Sequence, residues 1–138
     1  MKKELSFEIT ENPNSQDLDF LTQKINEEAG NHGSAHPFAI FIRDKIGKIL
    51  AGCNGSVFFG SIYTDQLWVH PAYRKKGVGR ALLEKVHEYG KKHGCTLTTV
   101  ATMNFQAPQF YQKLGYQVEF TRLGLKDNIS VLFMRKDL

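Results

Sequence analysis

The sequence predicts a mixed α/β chain of the α+β kind, one sheet flanked by few helices, and three observations predict it. The chain has 138 residues, 41% hydrophobic and 23% charged, which suffices for one core and not for two. Strand-type and helix-type periods follow one another in the order β-α-β-β-β-α-β-α-β-β, which is not a doubly wound repeat. No internal repeat, linker or low-complexity stretch interrupts that order, so residues 1–138 read as a single domain.

Taken in order, Leu5, Phe7 and Ile9 alternate with Ser6, Glu8 and Thr10, the two-residue period of a half-buried strand. Asn12-Pro13-Asn14-Ser15 breaks it and offers a helix cap, after which Leu18, Leu21, Ile25 and Ala29 fall on one helical face. Gly30 to Pro37 is a loop by composition. Phe38–Arg43 and Ile49–Phe59 are strand-like runs joined by a turn around Asp44–Lys48, and Ile62–Val69 is a third, rich in β-branched and aromatic residues. His70-Pro71 ends it, since proline has no N–H for a ladder. Val78, Ala81, Leu82, Val86 and Tyr89 keep helical spacing up to Gly94. Leu97–Ala101 is a strand. Ala107–Leu114 is a short helix with proline at its second position and Gly115 just past its end. Tyr116–Thr121 and Ile129–Met134 form a closing antiparallel pair.

The formal charge of +4 is local. Between Arg74 and Lys92 stand seven basic residues and two acidic ones, a net +5, and the rest of the chain is −1. Such a patch attracts an anion: a phosphorylated small molecule, nucleic acid or a membrane surface. No apolar run reaches the ~20 residues of a membrane helix, and Met1-Lys2-Lys3-Glu4 leads into no signal-peptide core, so the expected location is the cytoplasm. The two cysteines, Cys53 and Cys95, are expected as free buried thiols rather than a disulfide.

The most informative stretch is Leu67-Trp-Val-His-Pro-Ala-Tyr-Arg-Lys-Lys-Gly-Val-Gly-Arg-Ala-Leu-Leu83, in which a strand ends, a short basic turn follows and two glycines open an amphipathic helix. Gly77 and Gly79 lack Cβ atoms, so a ligand can approach the main chain. The first helical N–H groups have no internal acceptors, and with the positive end of the helix dipole they make an anion site that suits a diphosphate. Arg74, Lys75 and Lys76 add formal charge beside it. It is not a Walker loop, for no Gly-x4-Gly-Lys-Ser/Thr string exists. Nor is it a Rossmann turn, since Leu82 stands where the third glycine belongs.

Arg74-x-x-Gly77-x-Gly79, after a strand ending in Val69-His-Pro, resembles the acetyl-coenzyme A loop of the GNAT N-acetyltransferase superfamily. Downstream, Asn104-Phe-Gln-Ala-Pro-Gln-Phe-Tyr-Gln-Lys-Leu-Gly-Tyr116 resembles that superfamily's later segment, an Asn followed by an Ala-x-x-Phe-Tyr-x-x-x-Gly-Tyr/Phe string. The strings Leu-Trp-Val and Phe-Gln-Ala-Pro resemble small bacterial members. The resemblance implies a mostly antiparallel sheet of six to seven strands with three to four helices, splayed between the fourth and fifth strands. It also implies acetyl-CoA as cosubstrate, no metal, a small-molecule or peptide amine as partner, and a homodimer.

Residue by residue, the resemblance implies that the backbone of Leu67, Trp68 and Val69 pairs with the pantetheine arm, an added strand of amides. Arg74, Lys75, Lys76, Gly77, Val78, Gly79 and Arg80 hold the pyrophosphate. Asn104 with Ala107, Phe110 and Tyr111 lines the other side of the arm. The chemistry implied is direct attack of a neutral amine on the thioester. Tyr111 is then the acid that protonates the leaving thiolate, and the Val69 N–H receives the oxyanion. For the base, Asp65 lies four residues before Val69 and shares its strand face, as does Tyr63; a water chain is the alternative.

Other residues carry less. His32 and His36 have metal-ligand spacing only in a helix, which Gly33 and Pro37 oppose, and their loop is a candidate acceptor wall. His70 reads as a turn cap. Cys95 as nucleophile is disfavoured, because direct transfer needs no acyl-enzyme. Two competing functions remain: a catalytically weak acyl-CoA sensor, and a nucleic-acid module using residues 74–92. The latter lacks interleaved aromatics and any helix-turn-helix pattern.

Overall fold

The computed structural model describes residues 4–138, so Met1–Lys3, the head of the stretch read for a leader, lie outside it. The elements are α1 (Ser15–Ala29), β1 (Ala35–Arg43), β2 (Ile49–Phe58), β3 (Ser61–Val69), α2 (Val78–Lys92), β4 (Leu97–Met103), α3 (Pro108–Lys113), β5 (Gln117–Arg122) and β6 (Val131–Asp137). They form one six-stranded sheet in the order β1-β2-β3-β4-β6-β5. Only β3 and β4 are parallel, and every other neighbouring pair is antiparallel.

The signals that close each helix are local ones. Asn14 accepts a bond from the Gln16 N–H at 2.8 Å and caps α1. The His70 ring accepts from the Ala72 N–H through Nδ1 at 3.0 Å, holding the turn after β3. A parallel pair needs a crossover, and α2 supplies it between β3 and β4. Leu82, Leu83 and Val86 on one face of α2 are fully buried against Ala51, Ile62, Val100 and Met134, which makes the core. Each such side chain contributes roughly 2 kcal/mol by leaving water. This packing fixes the start of α2 beside the end of β3. Cys53 and Cys95 are buried and free, as expected.

Two expectations are corrected. Leu5, Phe7 and Ile9 do not form a strand; they are 76%, 86% and 94% exposed, and the sheet has six strands rather than seven. Alternation describes a strand only where a partner edge holds it, and no strand pairs with residues 4–10. Also, His36 and Pro37 belong to β1 rather than to the preceding loop. Proline is tolerated there because β1 is the edge of the sheet. The helix α1 buries none of its side chains and is tied to the body by Asn26, whose carboxamide bonds both main-chain groups of Ala35 at 2.7 and 2.8 Å.

Candidate functional site

The site begins where two strands part. β3 and β4 pair from Ser61/Leu97 to Thr64/Val100 and no further, while β3 continues along β2 to Val69 and β4 continues along β6 to Met103. The splay thus falls between the third and fourth strands; the count shifts by one because the first expected strand is absent. The His70 N–H bonds Leu50 O on the β2 side at 2.8 Å. The two-residue alternation of β3 therefore turns the N–H groups of Leu67 and Val69 into the gap.

A bulge sits at the fork. Asn54 faces Gln66 and Gly55 faces Thr64, so Asp65 has no residue opposite it. A Cβ at Gly55 would run into the Tyr63 carbonyl oxygen, which is why a residue without one stands across from the bulge. The bulge also corrects the reading of Asp65. Ile62 and Thr64 are buried before it, and Leu67 and Val69 pack against the same core after it. Strict alternation is broken, so the spacing of four from Asp65 to Val69 does not place the two side chains on one face. Asp65 is exposed and lines the cavity; its charge, after burial, raises the pKa of the neighbouring Tyr63 phenol.

The gap opens into a cavity of about 680 Å³ that joins both faces of the sheet. Leu67, Phe110 and Tyr111 line it on the α2 side, and Phe41, Asn54, Gln66 and Trp68 on the other. Tyr111 is half-buried, with its ring edge-on to Phe110 and Tyr116 at centroid distances of 5.1 and 5.6 Å. Burial first, then the nearby Cys53 and Tyr63, raise its pKa, so the phenol keeps its proton at neutral pH. Cys53 lies in the cavity wall, and burial pushes its thiol up to about 11.

The turn beyond β3 carries the cations. Arg74 Nε donates to Val69 O at 2.8 Å, so this side chain clasps the turn to the strand end. Among the described residues, none of the main-chain N–H groups from Lys75 to Arg80 meets a main-chain acceptor; the first to do so is Ala81, which bonds Gly77 O at 3.0 Å. Positive φ angles at Lys75 (60°) and Gly77 (82°) tighten this turn, and space beside Gly77 is open. A diphosphate, which needs many donors and neighbouring positive charge, fits this turn. Gly79 has a packing role besides its sequence reading. A Cβ there would stand 3.1 Å from Phe110 Cζ, so its bare α-carbon also lets α2 approach α3.

The family model for the acetyltransferase (GNAT) family matches residues 4–116. The chain belongs to the GNAT family. It is 32% identical over 82 residues to blasticidin-S acetyltransferase of Streptomyces morookaense, covering 59% of this chain and 60% of that enzyme. It is also 32% identical over 101 residues to an acetyltransferase of Agrobacterium fabrum, covering 70% and 71%. The chain thus spans about 60% of the first relative's length and somewhat more of the second's. Its fold matches the crystal structure of an acetyltransferase from Bacillus cereus with a TM-score of 0.74 at 26% identity, over 95% of this chain and 98% of the other.

The remaining GNAT-derived expectations divide. Ala107, Phe110 and Tyr111 lie on the cavity. Asn104 does not: its Nδ2 donates to Asn128 O and its Oδ1 accepts from the Ser130 N–H, both at 3.3 Å, so it staples the turn before β6 to the end of β4. Gln106 lines the cavity instead, with Oε1 accepting from the Met103 N–H at 2.9 Å. The loop expected as an acceptor wall lies elsewhere, for His32 and His36 line a separate hollow with His93. Sequence reasoning passed over Gly52, Asn54, Gly55 and Phe41 entirely. Nothing in β2 marks its glycines as belonging to a site; only the register does.

Proposed function

We propose that this GNAT protein is an N-acetyltransferase that moves an acetyl group from acetyl-coenzyme A to a primary amine by direct attack. The observation that carries the reading is the run of six unpartnered N–H groups from Lys75 to Arg80 beside a parted strand pair. Acetyl-coenzyme A supplies an acetyl thioester. The turn holds its diphosphate, and the free N–H group of Leu67 donates to an amide carbonyl of its arm. Phe110, Tyr111 and Ala107 close over the arm from the other side.

In the transfer, a bond forms between the amine nitrogen and the acetyl carbon and the carbon–sulfur bond breaks. Two protons leave the nitrogen of the ammonium, the first to Asp65 before attack and the second, through water, to the Tyr111 oxygen whose own proton has gone to the sulfur, so one proton is released in all. Asp65 draws in the ammonium and accepts its proton directly or through water. The Val69 N–H faces the carbonyl oxygen as charge develops on it. Tyr111, held protonated by its burial, gives its proton to the departing sulfur. The donor set asks for no metal. The relatives' names, among them blasticidin-S acetyltransferase, support a small amine-bearing acceptor.

The assembly we propose is a homodimer in the cytoplasm of a bacterium. Leu18, Leu21 and Ile25 on one face of α1 are each about half exposed, and Leu5, Phe7 and Ile9 are more exposed still, an apolar surface that a second copy would cover. Calorimetry with acetyl-coenzyme A tests the central reading. Micromolar binding that drops at least tenfold in Gly77→Val, whose φ of 82° a branched residue resists, is the expected result. Absence of binding to the native chain would discard it.

A further inference from the structure

On the sheet face turned away from α2, the register sets two rows of side chains next to each other. Phe41 pairs with Gly52 and Gly52 with Trp68; two residues along, Ala39 pairs with Asn54 and Asn54 with Gln66. Both rings of the first row line the cavity, and each is about half exposed. Between them Gly52 has no side chain, and a Cβ there would stand 2.6 Å from Phe41 Cδ1. The bare position lets the Phe41 ring lean over the sheet, and with Trp68 it bounds a flat apolar slot. In the second row Asn54 Nδ2 donates to Gln66 Oε1 at 3.0 Å and the Gln66 N–H donates to Asn54 Oδ1 at 3.2 Å. One bond links the two carboxamides and a second ties Asn54 Oδ1 to the Gln66 main chain, which fixes Asn54 in place and leaves the Gln66 Nε2 donors available to a ligand. Past them comes Asp65, the one carboxylate lining the cavity.

The order along this face is therefore apolar slot, linked carboxamide pair, single negative charge at the fork. A polycation would need several carboxylates and finds one. Its far end would also meet the Arg43 guanidinium, which stands 5.2 Å over the Phe41 ring. Resting on the acetyl-transfer reading, we infer that the acceptor is a primary amine with one positive charge and a flat, aromatic body. The body lies between Phe41 and Trp68 across Gly52, and the ammonium reaches Asp65.

Trp68 is the single tryptophan of the chain, so its fluorescence reports on the slot directly, with or without cofactor. The probes are 2-phenylethylamine, propylamine and spermidine. 2-Phenylethylamine should perturb the emission at ~30-fold lower concentration than propylamine, the gain expected from burying a phenyl ring. In acetyl transfer it should exceed propylamine by a similar factor in kcat/KM. Phe41→Ala and Gly52→Val should bring that kcat/KM ratio near one while acetyl-coenzyme A affinity, read by calorimetry, stays intact and shows the variants folded. Asp65→Asn should weaken both monoamines by about the same factor, on the order of tenfold. Equal response to the two monoamines, or preference for spermidine, overturns the inference and leaves the transfer reading standing. Loss of acetyl-coenzyme A binding in the native protein overturns the transfer reading, and the fluorescence titration without cofactor still decides the slot.

Discussion

Thr64 carries a buried hydroxyl with no hydrogen-bond partner, the sole such side-chain atom among the described residues, and it stands in the last paired row before β3 and β4 part. An orphaned hydroxyl costs desolvation energy that nothing in the protein returns. Thr64→Val keeps the shape and removes the orphan, so it should raise the unfolding free energy of the ligand-free protein by about 1 kcal/mol in a urea titration. A lower value would mean that water or a neighbour serves the group. At the same scale, Tyr111→Phe retains the ring contacts with Phe110 and Tyr116 and removes only the proton. Steady-state kinetics should show kcat reduced on the order of 100-fold with acetyl-coenzyme A affinity nearly unchanged. An unaltered kcat would take Tyr111 out of the chemistry. Gly77 and Gly79 looked alike in the sequence as openings for a ligand. Packing separates them, because one needs a left-handed backbone and the other needs room for Phe110.

Among the elements, α2 does three jobs: it carries the crossover, its start offers donors to an anion, and its middle holds a pH-sensitive contact. His87 Nε2 lies 2.8 Å from the Tyr116 hydroxyl, which in turn is 3.4 Å from Thr98 Oγ1. Burial first, then the charges of Lys136 and Lys91, push the imidazole down to about 4, and burial pushes the Tyr116 phenol up to about 12. Because the folded imidazole titrates below its unfolded value near 6.5, the unfolded chain takes up the proton first. The contribution is whole above pH 6.5 and lost as pH falls toward 4. Allowing for the ring's partial exposure, about 1–2 kcal/mol should disappear over that window. His87→Gln should lack this part of the slope when unfolding free energies are compared at pH 7 and pH 4.5. Parallel slopes would place the loss in other groups. In β2, Gly55→Ala should cost 3 kcal/mol or more, or prevent folding, because the added carbon meets main chain and not a flexible side chain. A melting temperature unchanged in calorimetry would mean that the bulge at Asp65 relaxes freely.

For the whole molecule, one face of the sheet is packed by α2 and α3, while α1 lies free of the core with its apolar stripe uncovered. Such a surface is costly to leave in water, and a second copy of the chain is the occupant proposed. Sedimentation equilibrium should report a dimer at micromolar concentration, and Leu21→Asp with Ile25→Asp should shift it to monomer. A native protein that sediments as a monomer at 100 μM would remove the dimer. The +5 segment between Arg74 and Lys92 is spread along α2 and its leading turn, so at this scale it presents one positive region to an approaching anion.

The sequence by itself determined the element types, the caps at Asn14 and His70, the core stripe of α2 and the basic glycine turn, because each is a local pattern written in consecutive residues. It also determined the family, through two separate strings. Tertiary structure alone decided the fate of Leu5–Ile9, since alternation says nothing about whether an edge is there to receive it. It alone decided the fork at Thr64, the bulge that frees Asp65 from its expected face, and the diversion of Asn104 to another turn. The slot of Phe41, Gly52 and Trp68 draws on three consecutive strands, and only backbone register decides that these positions share one row.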